Sequence, residues 1–536
     1  MKNRFTVGLL SVSALLVASV QIMHAPQKTS ALDTSLSQLV YSYNSDGSNG
    51  TPLSSAVLTQ NKPRIHFVSA ANVKTTYVKF YLDGRLVETE GDAPWGLEDD
   101  NGSSPLPSDL TKMGEGTHTV KAVATQNGSN RTYSSTFSVR LTTTPVVDEP
   151  EVPVVTRYTE GLKIAPTARG KADGSSWENA ANLSKLPALV AATPDGGTVL
   201  IQADAGEYNR TSSIIINNGG SADKPVTVRG VAKDGTPMKA KIVGDRTAPY
   251  SPTGNDGNDL FKFYAGAKNL KFSDLSFQNI GNVFNASADV NNITIEDSYA
   301  KNVRRFVSNY PASGEESSNI TNLTVRRTNV DGFSKSFAII KQNSSNLLFE
   351  DIVADSQGQD GDDFAMGFML DGTVHDVVHR RVTVKNTIQT GPNDVYWNAD
   401  GFVTERGVYN IRYEDTNAMG ATDGGYDLKS DNTTLVRAKA SDNKRNFRLW
   451  GTGVTINTCE GLNPHKRGGT SSQAQLWAGK GSNITISNCK FSDNDADTVV
   501  FHLDEEANVK VSSTDVTRNS DATLKRLDTG AQLTIN

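Results

Sequence analysis

One short segment recurs along most of this chain and limits its fold more than any other feature. The copies include NLKFSDLSF, NITIEDSYA, NLTVRRTNV, NLLFEDIVA and NIRYEDTNA, which alternate apolar and polar residues and then break at Asn, Asp or Gly. Successive copies begin roughly 20 to 34 residues apart, a spacing typical of solenoid repeats. One copy is too small to bury its own apolar face, so neighbouring copies must stack. The pattern predicts a right-handed parallel β-helix over residues 160–536.

A β-propeller is the alternative solenoid-like fold for such a repeat. It needs longer and more even repeats with several strands in each, and the spacing here is uneven. The segment LSKLPALVAA at 183–192 is the best amphipathic helix pattern in the chain. We expect this helix to cap the N-terminal end of the solenoid, because an exposed strand edge invites association.

Residues 39–142 form a different pattern. YVKFYLDGRLVETE reads as two strands joined by a turn at Asp83 and Gly84, and two more alternating segments follow. Short strands with regularly spaced turns predict a β-sandwich, and the segment resembles bacterial immunoglobulin-like domains. A proline-rich stretch at 143–159 predicts an extended linker.

The first 31 residues resemble a secretory signal. Lys2 and Arg4 precede an apolar run at 7–20, and TSA ends the segment with small residues. An uncleaved membrane anchor is the alternative. The signal predicts a secreted protein, extracellular or periplasmic, with no membrane span after cleavage. The formal net charge of -6 does not favour nucleic acid, and an anionic partner needs a local basic patch or a bound cation.

Only two cysteines are present, Cys459 and Cys489. They occupy similar positions in the repeated segments TINTC and TISNC. In stacked coils they form either a disulfide or a pair of buried thiols, and the spacing does not decide between these.

The segments NADGF, ATDGGYDLKS and NFRLWG carry the candidate chemistry. Asp400 lies about one coil before Asp423 and Asp427, and Arg448 follows about one coil later. Stacked coils are about 4.8 Å apart, so we expect these side chains to meet on one surface. Several carboxylates suit a hard cation such as Ca²⁺. Taken singly, the Asp-Gly pairs are ordinary turn formers and Arg448 an ordinary surface residue.

Together these three segments resemble polysaccharide lyase family 9, the β-helical pectate lyases and their relatives. The resemblance extends to WENAANLSKLPALVAATPDGGTVLIQADAGEY at the start of the solenoid. It implies that Asp400, Asp423 and Asp427 bind Ca²⁺ and that Arg448 occupies the position of the family's catalytic lysine. Gly424 stands where the family has a further acid, which puts the calcium site in doubt.

The resemblance implies a secreted lyase that cleaves a uronic acid-containing polysaccharide, pectate or a bacterial exopolysaccharide, by β-elimination. Arginine is normally protonated, so Arg448 either acts as an unusual base or binds the substrate carboxylate while Lys429, Lys444 or Tyr426 takes the proton. We expect Lys444, Arg445, Tyr426 and Trp450 to bind substrate, and the protein to be a monomer.

Three other functions remain open at this point. A β-helical glycoside hydrolase would use paired acids, for which Asp362 and Asp363 are candidates. A non-catalytic polysaccharide-binding or matrix protein would need no base at all, and an epimerase would share the proton-abstraction step.

Overall fold

The computed structural model describes residues 37–43, 50–54, 56–58, 62–98, 104–140, 156–360, 364–391 and 396–536. The chain divides into two compact units, Met1–Pro153 and Val154–Asn536. The predicted signal, most of the predicted linker and the pair Asp362 and Asp363 lie outside the described residues. No helix in the described ranges has the length and apolar character needed to cross a membrane.

The first unit consists of two sheets around a shared apolar core. The strands β5 and β6 form the hairpin predicted at Asp83 and Gly84, which have φ angles of 50° and 84°, as such a tight turn requires. Its immunoglobulin-like character stays a prediction. The elements are β1 (Gln38–Ser42), β2 (Thr51–Pro52), β3 (Val57–Leu58), β4 (Arg64–Val68), β5 (Thr75–Leu82), β6 (Arg85–Glu90), β7 (Trp95–Gly96), α1 (Leu110–Met113), β8 (Gly116–Gln126) and β9 (Ser129–Val139).

The second unit is a parallel β-helix, as the repeat predicts, with each strand paired to the equivalent strand one coil away. Its first half contains β10 (Leu162–Ile164), 3-10 turns at Trp177–Asn179 and Leu183–Lys185, α2 (Leu186–Ala192), β11 (Thr198–Gln202), β12 (Tyr208–Asn209), β13 (Ile214–Ile216), β14 (Val226–Val231), β15 (Ala240–Val243), β16 (Phe261–Phe263), β17 (Lys268–Ser273), β18 (Leu275–Ala286), β19 (Val290–Glu296), β20 (Tyr299–Asn309), β21 (Ile320–Ile340), β22 (Ser345–Asp355), β23 (Met366–Leu370) and β24 (His375–Lys385).

The later coils are built from shorter strands. They are β25 (Phe402–Thr404), β26 (Tyr409–Glu414), β27 (Asn417–Met419), β28 (Gly424–Leu428), β29 (Asp431–Val436), β30 (Lys439–Ser441), β31 (Arg445–Leu449), β32 (Val454–Asn457), β33 (Glu460–Leu462), β34 (Ala474–Ala478), β35 (Asn483–Ser487), β36 (Lys490–Ser492), β37 (Val499–Leu503), β38 (Asn508–Ser512), β39 (Asp515–Thr517), β40 (Thr523–Leu527) and β41 (Gln532–Ile535).

The repeated Asn at the start of each copy has a structural cause. Asn269, Asn292, Asn322 and Asn346 all have φ between 51° and 57°, a left-handed conformation that Asn tolerates better than most residues. The Asn292 side chain also donates a 2.9 Å hydrogen bond to Asn269 Oδ1 in the coil below. Asparagine therefore both bends the chain and ties one coil to the next.

The helix predicted at 183–192 begins as a 3-10 turn and continues as α2. Its residues Leu186, Leu189 and Val190 are buried in the same apolar core as Ile164 and Val199 of the first strands. Burial of its apolar face against these strands agrees with the predicted capping role.

One sheet of the solenoid, formed by β25, β28, β31, β34, β37 and β40, positions the candidate site. Phe402, Tyr426 and Phe447 point inward and stack one above another, with ring centroids 5.0 and 5.3 Å apart. Alternate residues of the same strands point outward. On an adjoining face, Cys459 and Cys489 form a disulfide, which decides between the two alternatives left open by the sequence.

Candidate active site

The structure brings the three predicted acids and Arg448 together on adjacent coils. Asp400 lies two residues before β25, and Asp423 directly precedes β28. Asp427 lies within β28 and pairs in register with Arg448 of β31. The three acids are at most 4% exposed, and one carboxylate oxygen from each lies within 4.8 Å of the others. Residues that lie about one coil apart in the sequence are therefore neighbours in the structure, as predicted.

Arg448 lies directly against these acids. Its Nη1 donates hydrogen bonds to Asp423 Oδ2 at 2.8 Å and Asp427 Oδ2 at 3.1 Å, and approaches the Tyr396 hydroxyl at 2.6 Å. Burial favours the neutral form, but Asp427 and Asp423 outweigh it and raise the pKa of Arg448 above its ordinary value. The guanidinium is therefore protonated and unsuited to act as a base.

The acids themselves favour a retained proton. Burial, followed by the charges of Asp427 and Asp423, raises the pKa of Asp400 well above its ordinary value. Burial also raises the pKa of Asp427, although Arg448 acts in the opposite direction. Burial and mutual repulsion therefore favour the protonated forms of Asp400 and Asp427.

Gly424, the departure from the family pattern, is packed into this cluster. Its N–H donates a 2.6 Å hydrogen bond to Asp400 Oδ1. A Cβ at this position would lie 2.9 Å from Asp400 Oδ1 and 3.2 Å from the Cβ of Asp427. A further aspartate here would therefore displace one of the existing acids.

These contacts leave little place for calcium. Beyond the guanidinium of Arg448, Asp423 Oδ1 accepts from Arg445, and Asp427 Oδ1 accepts a 2.9 Å hydrogen bond from the indole of Trp450. Calcium takes six to eight oxygen ligands, whereas here the carboxylates already serve N–H donors, two of them from guanidinium groups. In this arrangement the residues fit an arginine side chain and do not fit Ca²⁺.

The cluster borders a cavity of about 380 Å³. Arg448, Lys429 and the exposed Arg406 supply positive charge to its wall. The residues that line it are Met366, Tyr396, Asn398, Asp400, Val403, Glu405, Arg406, Asp427, Lys429, Arg448 and Trp450. Three larger cavities, of about 490, 520 and 390 Å³, lie elsewhere on the solenoid, but no three-residue group of converging His, Cys, Asp or Glu side chains lines any of them within the described residues.

Lys429 and Trp450 both line this cavity, as a substrate-facing role requires. Lys429 donates hydrogen bonds of 2.8 and 2.9 Å to the two oxygens of Glu405. Burial would lower the pKa of Lys429, but Asp427 and Glu405 together raise it. A protonated lysine can bind an anion but cannot accept a proton, so Lys429 does not fit the role of base.

Three of the residues predicted to bind substrate are buried and do not line this cavity. Tyr426 is fully buried in the aromatic stack and hydrogen-bonds Thr416 at 2.9 Å. Arg445 is 1% exposed, because it bonds Asp423 and its guanidinium lies 4.2 Å from the ring centre of Trp477.

Lys444 is also buried, and its ammonium donates to the carbonyl of Thr470. Burial, followed by the charge of Arg445, lowers the pKa of Lys444 to about 8. Neither Tyr426, Lys444 nor Arg445 lines the cavity, so none of them reaches a substrate there.

Two site residues escaped the sequence reasoning in their observed roles. The Tyr396 hydroxyl donates a 2.6 Å hydrogen bond to Asp423 Oδ2. Glu405 follows β25 and holds Lys429, which follows β28 one coil later. Parallel register between those two strands was the signal for Glu405, whereas Tyr396 lies outside any repeated strand.

No protein-family model matches the chain, and no curated protein matches it. Solved structures similar to it include the catalytic domain of a GH87 alpha-1,3-glucanase in complex with tetrasaccharides, with 12% identity, a TM-score of 0.41, and coverage of 92% of this chain and 99% of that one.

The names of two further similar structures refer to enzymes that act on other polymers. A Family 28 exopolygalacturonase from Yersinia enterocolitica has 10% identity and a TM-score of 0.36, covering 90% and 98% of the two chains. An alginate lyase from Paenibacillus sp. str. FPU-7 has 11% identity and a TM-score of 0.28, covering 69% and 99%. These similarities are too loose to carry an argument about activity, and they do not show membership of polysaccharide lyase family 9.

Proposed function

We propose that this protein is a secreted lyase that cleaves an acidic polysaccharide by β-elimination. The observation that carries the proposal is the state of Arg448. Its Nη1 is fixed by Asp423, Asp427 and Tyr396, and its Nε is buried, while Nη2 makes no hydrogen bond within the described residues. A guanidinium held from one side, at the wall of a cavity, is suited to bind a carboxylate oxygen with Nη2.

The charge on the cavity wall supports a uronic acid as substrate. Arg448, Lys429 and Arg406 line the cavity together with the acids Asp400, Glu405 and Asp427. Lys429 is paired with Glu405, so a sugar carboxylate would pair there with Arg448 and Arg406, without a metal ion. The proton at C5 of a uronate is α to that carboxylate. Neutralising the carboxylate stabilises the negative charge that develops as this proton leaves.

Tyr396 is the group best placed to take the proton. Burial and the charge of Asp423 raise the pKa of Tyr396, against the effect of Arg448, so it is a phenol at neutral pH. In the proposed step, the Tyr396 oxygen accepts the C5 proton while its own proton passes to the Asp423 carboxylate, 2.6 Å away.

The remaining electrons and protons follow from this transfer. The electron pair of the C5–H bond becomes the C4–C5 double bond, and the bond from C4 to the glycosidic oxygen breaks. Asp400, whose pKa is raised by burial, donates a proton to the departing oxygen. Exchange with solvent then moves the proton of Asp423 back to Asp400. The product has an unsaturated sugar at its new non-reducing end.

A product assay tests the proposal. The purified protein is incubated with pectate, alginate and bacterial exopolysaccharides rich in uronic acid, and both ultraviolet absorbance and reducing ends are followed. A rise in both signals on at least one polymer supports a lyase. Absence of the ultraviolet signal on every polymer that the protein cleaves would overturn it.

The state of Asp400 favours one second candidate, a glycoside hydrolase. A protonated Asp400 beside Asp427 resembles the acid and carboxylate of a hydrolase. The oxygens lie within 4.8 Å, which is closer to the roughly 5 to 5.5 Å of retaining enzymes than to the roughly 6.5 to 9.5 Å of inverting ones. Reducing ends without ultraviolet absorbance would identify this activity, and binding without either product would identify a polysaccharide-binding protein.

A further inference from the structure

A second cluster of ionisable side chains lies further along the sheet that carries the candidate active site. His502 points outward from β37, Asp504 follows that strand, and Asp528 follows β40 in the next coil. Register pairs Leu503 with Leu527, which places the two acids side by side. One ligand atom from each of the three residues lies within 4.8 Å of the others.

The imidazole of His502 has no hydrogen-bond partner within the described residues. The residue is 7% exposed, and its Nδ1 is buried. Its Nε2 lies 3.9 Å from Asp504 Oδ1, which is too far for a hydrogen bond. Zinc bonds imidazole nitrogen and carboxylate oxygen at about 2.0 to 2.2 Å, so one ion can bridge two atoms at this separation.

Trp477 fixes the orientation of this cluster from the preceding coil. Its indole donates a 2.9 Å hydrogen bond to Asp504 Oδ2, and its ring lies 3.8 Å from the centre of the His502 ring. Partners of this kind hold metal ligands in their binding orientation. The nearest positive neighbour in register, Arg526, directs its Nη1 toward Ser472 Oγ at 3.3 Å.

We propose that His502, Asp504 and Asp528 bind a divalent first-row transition metal ion that joins the coil of β40 to the coil of β37. Imidazole with two carboxylates suits zinc or manganese better than calcium, which prefers oxygen ligands alone. Every residue of β40 is exposed, so such an ion would add a contact between this strand and its neighbour. Asp528 is itself exposed and is free to adjust toward an ion.

Calorimetric titration of the full chain with zinc chloride tests the proposal. The variants are His502→Ala and Asp528→Asn, and the matched control is His375→Ala. His375 Nε2 lies 3.8 Å from Asp376 Oδ2, a similar pair that belongs to no three-ligand group in the described chain. We expect one zinc equivalent in the wild type and the control, with affinity at least roughly tenfold weaker in both cluster variants.

Thermal unfolding gives a second, independent measurement. Zinc should raise the midpoint of the wild type and of His375→Ala but not that of Asp528→Asn, because an ion that binds only the folded state stabilises it. Circular dichroism without metal shows whether each variant folds, and Asp528→Asn changes only an exposed side chain. No zinc binding, or equal binding by all four proteins, would overturn the proposal.

Discussion

Asp423 Oδ2 lies 2.8 Å from Arg448 Nη1 and 2.6 Å from the Tyr396 hydroxyl. A single buried carboxylate thus positions both the cation proposed to bind the substrate and the phenol proposed to move its proton. Arg445, buried against the ring of Trp477, holds the other oxygen of the same carboxylate. Arg445 was predicted from the sequence to bind substrate, but in the structure it can influence a substrate only through Asp423.

Replacing Arg448 should remove most of the activity. The guanidinium is the proposed principal partner of the substrate carboxylate as charge develops, so Arg448→Ala should lower kcat/KM by about 100- to 1,000-fold. Ultraviolet absorbance of the unsaturated product is the measurement. Arg437→Ala is the matched control, since Arg437 is an exposed arginine paired with Asp415 on another turn. Equal activity in the two variants would exclude Arg448 from the mechanism.

Tyr396→Phe separates proton transfer from binding. The variant keeps the ring but loses the hydroxyl that contacts Asp423 and Arg448, so kcat should fall by about 100- to 10,000-fold while KM changes little. Tyr409→Phe, at a comparably exposed tyrosine, should retain full kcat. A Tyr396→Phe enzyme with normal kcat would require another base.

Chelation should have no effect on the lyase activity. The calcium site implied by family resemblance is filled by Arg448, which already bonds Asp423 and Asp427. We therefore expect equal initial rates with EDTA and with added CaCl₂. Loss of activity in EDTA that calcium alone restores would show that Arg448 moves away and that the three acids bind the ion after all.

His379 should make the fold sensitive to acid. The imidazole is fully buried between Phe349 and Tyr413 with neither nitrogen bonded within the described residues, and burial lowers its pKa from 6.5 to about 3. The folded state therefore binds fewer protons than the unfolded state between these values. Its stability should be complete above pH 6.5 and fall as the pH drops toward 3, by about 4 kcal/mol in all.

The measurement is urea unfolding at several pH values. His379→Phe keeps the ring stack and should show a smaller loss of stability on acidification than the wild type. His375→Phe changes a partly exposed histidine of the same strand and should retain the wild-type pH dependence. If His379→Phe follows the wild-type curve, another group causes the acid sensitivity.

The disulfide should contribute to stability by joining consecutive coils. It closes a segment with a sequence separation of 30 residues, and restricting a loop of this length in the unfolded chain stabilises the fold by about 3 to 4 kcal/mol. The double variant Cys459→Ser with Cys489→Ser should lose this amount in equilibrium urea unfolding. Reductant should destabilise the wild type equally and leave the double variant unchanged.

The alternation of apolar and polar residues was enough to predict the stacked coils. To predict which side chains face outward, one must also follow which alternate positions of each strand point into the core. In ATDGGYDLKS, Tyr426 shares parity with Leu428, so both point inward, while Asp427 points outward. The alternation in the sequence therefore indicated that Tyr426 is buried, and the prediction that it binds substrate did not take this into account.

Other placements depend on register, which uneven coil lengths conceal. Whether Arg445 meets Asp423 or faces solvent depends on how β31 aligns with β28, and nothing local to NFRLWG specifies that alignment. Tyr396 belongs to a connecting segment with no periodicity, so its approach to Asp423 is visible only in three dimensions.

The outward row Asp427, Arg448, Trp477, His502 and Arg526 contributes one residue from each successive coil. The proposed catalytic group and the proposed metal group therefore lie along one row of the same sheet, a whole number of coils apart. Inserting or deleting a whole coil between β31 and β37 would change the distance between them in fixed steps, without altering either group internally. The distance between the two groups can therefore change during evolution by gain or loss of whole coils, while the residues within each group stay the same.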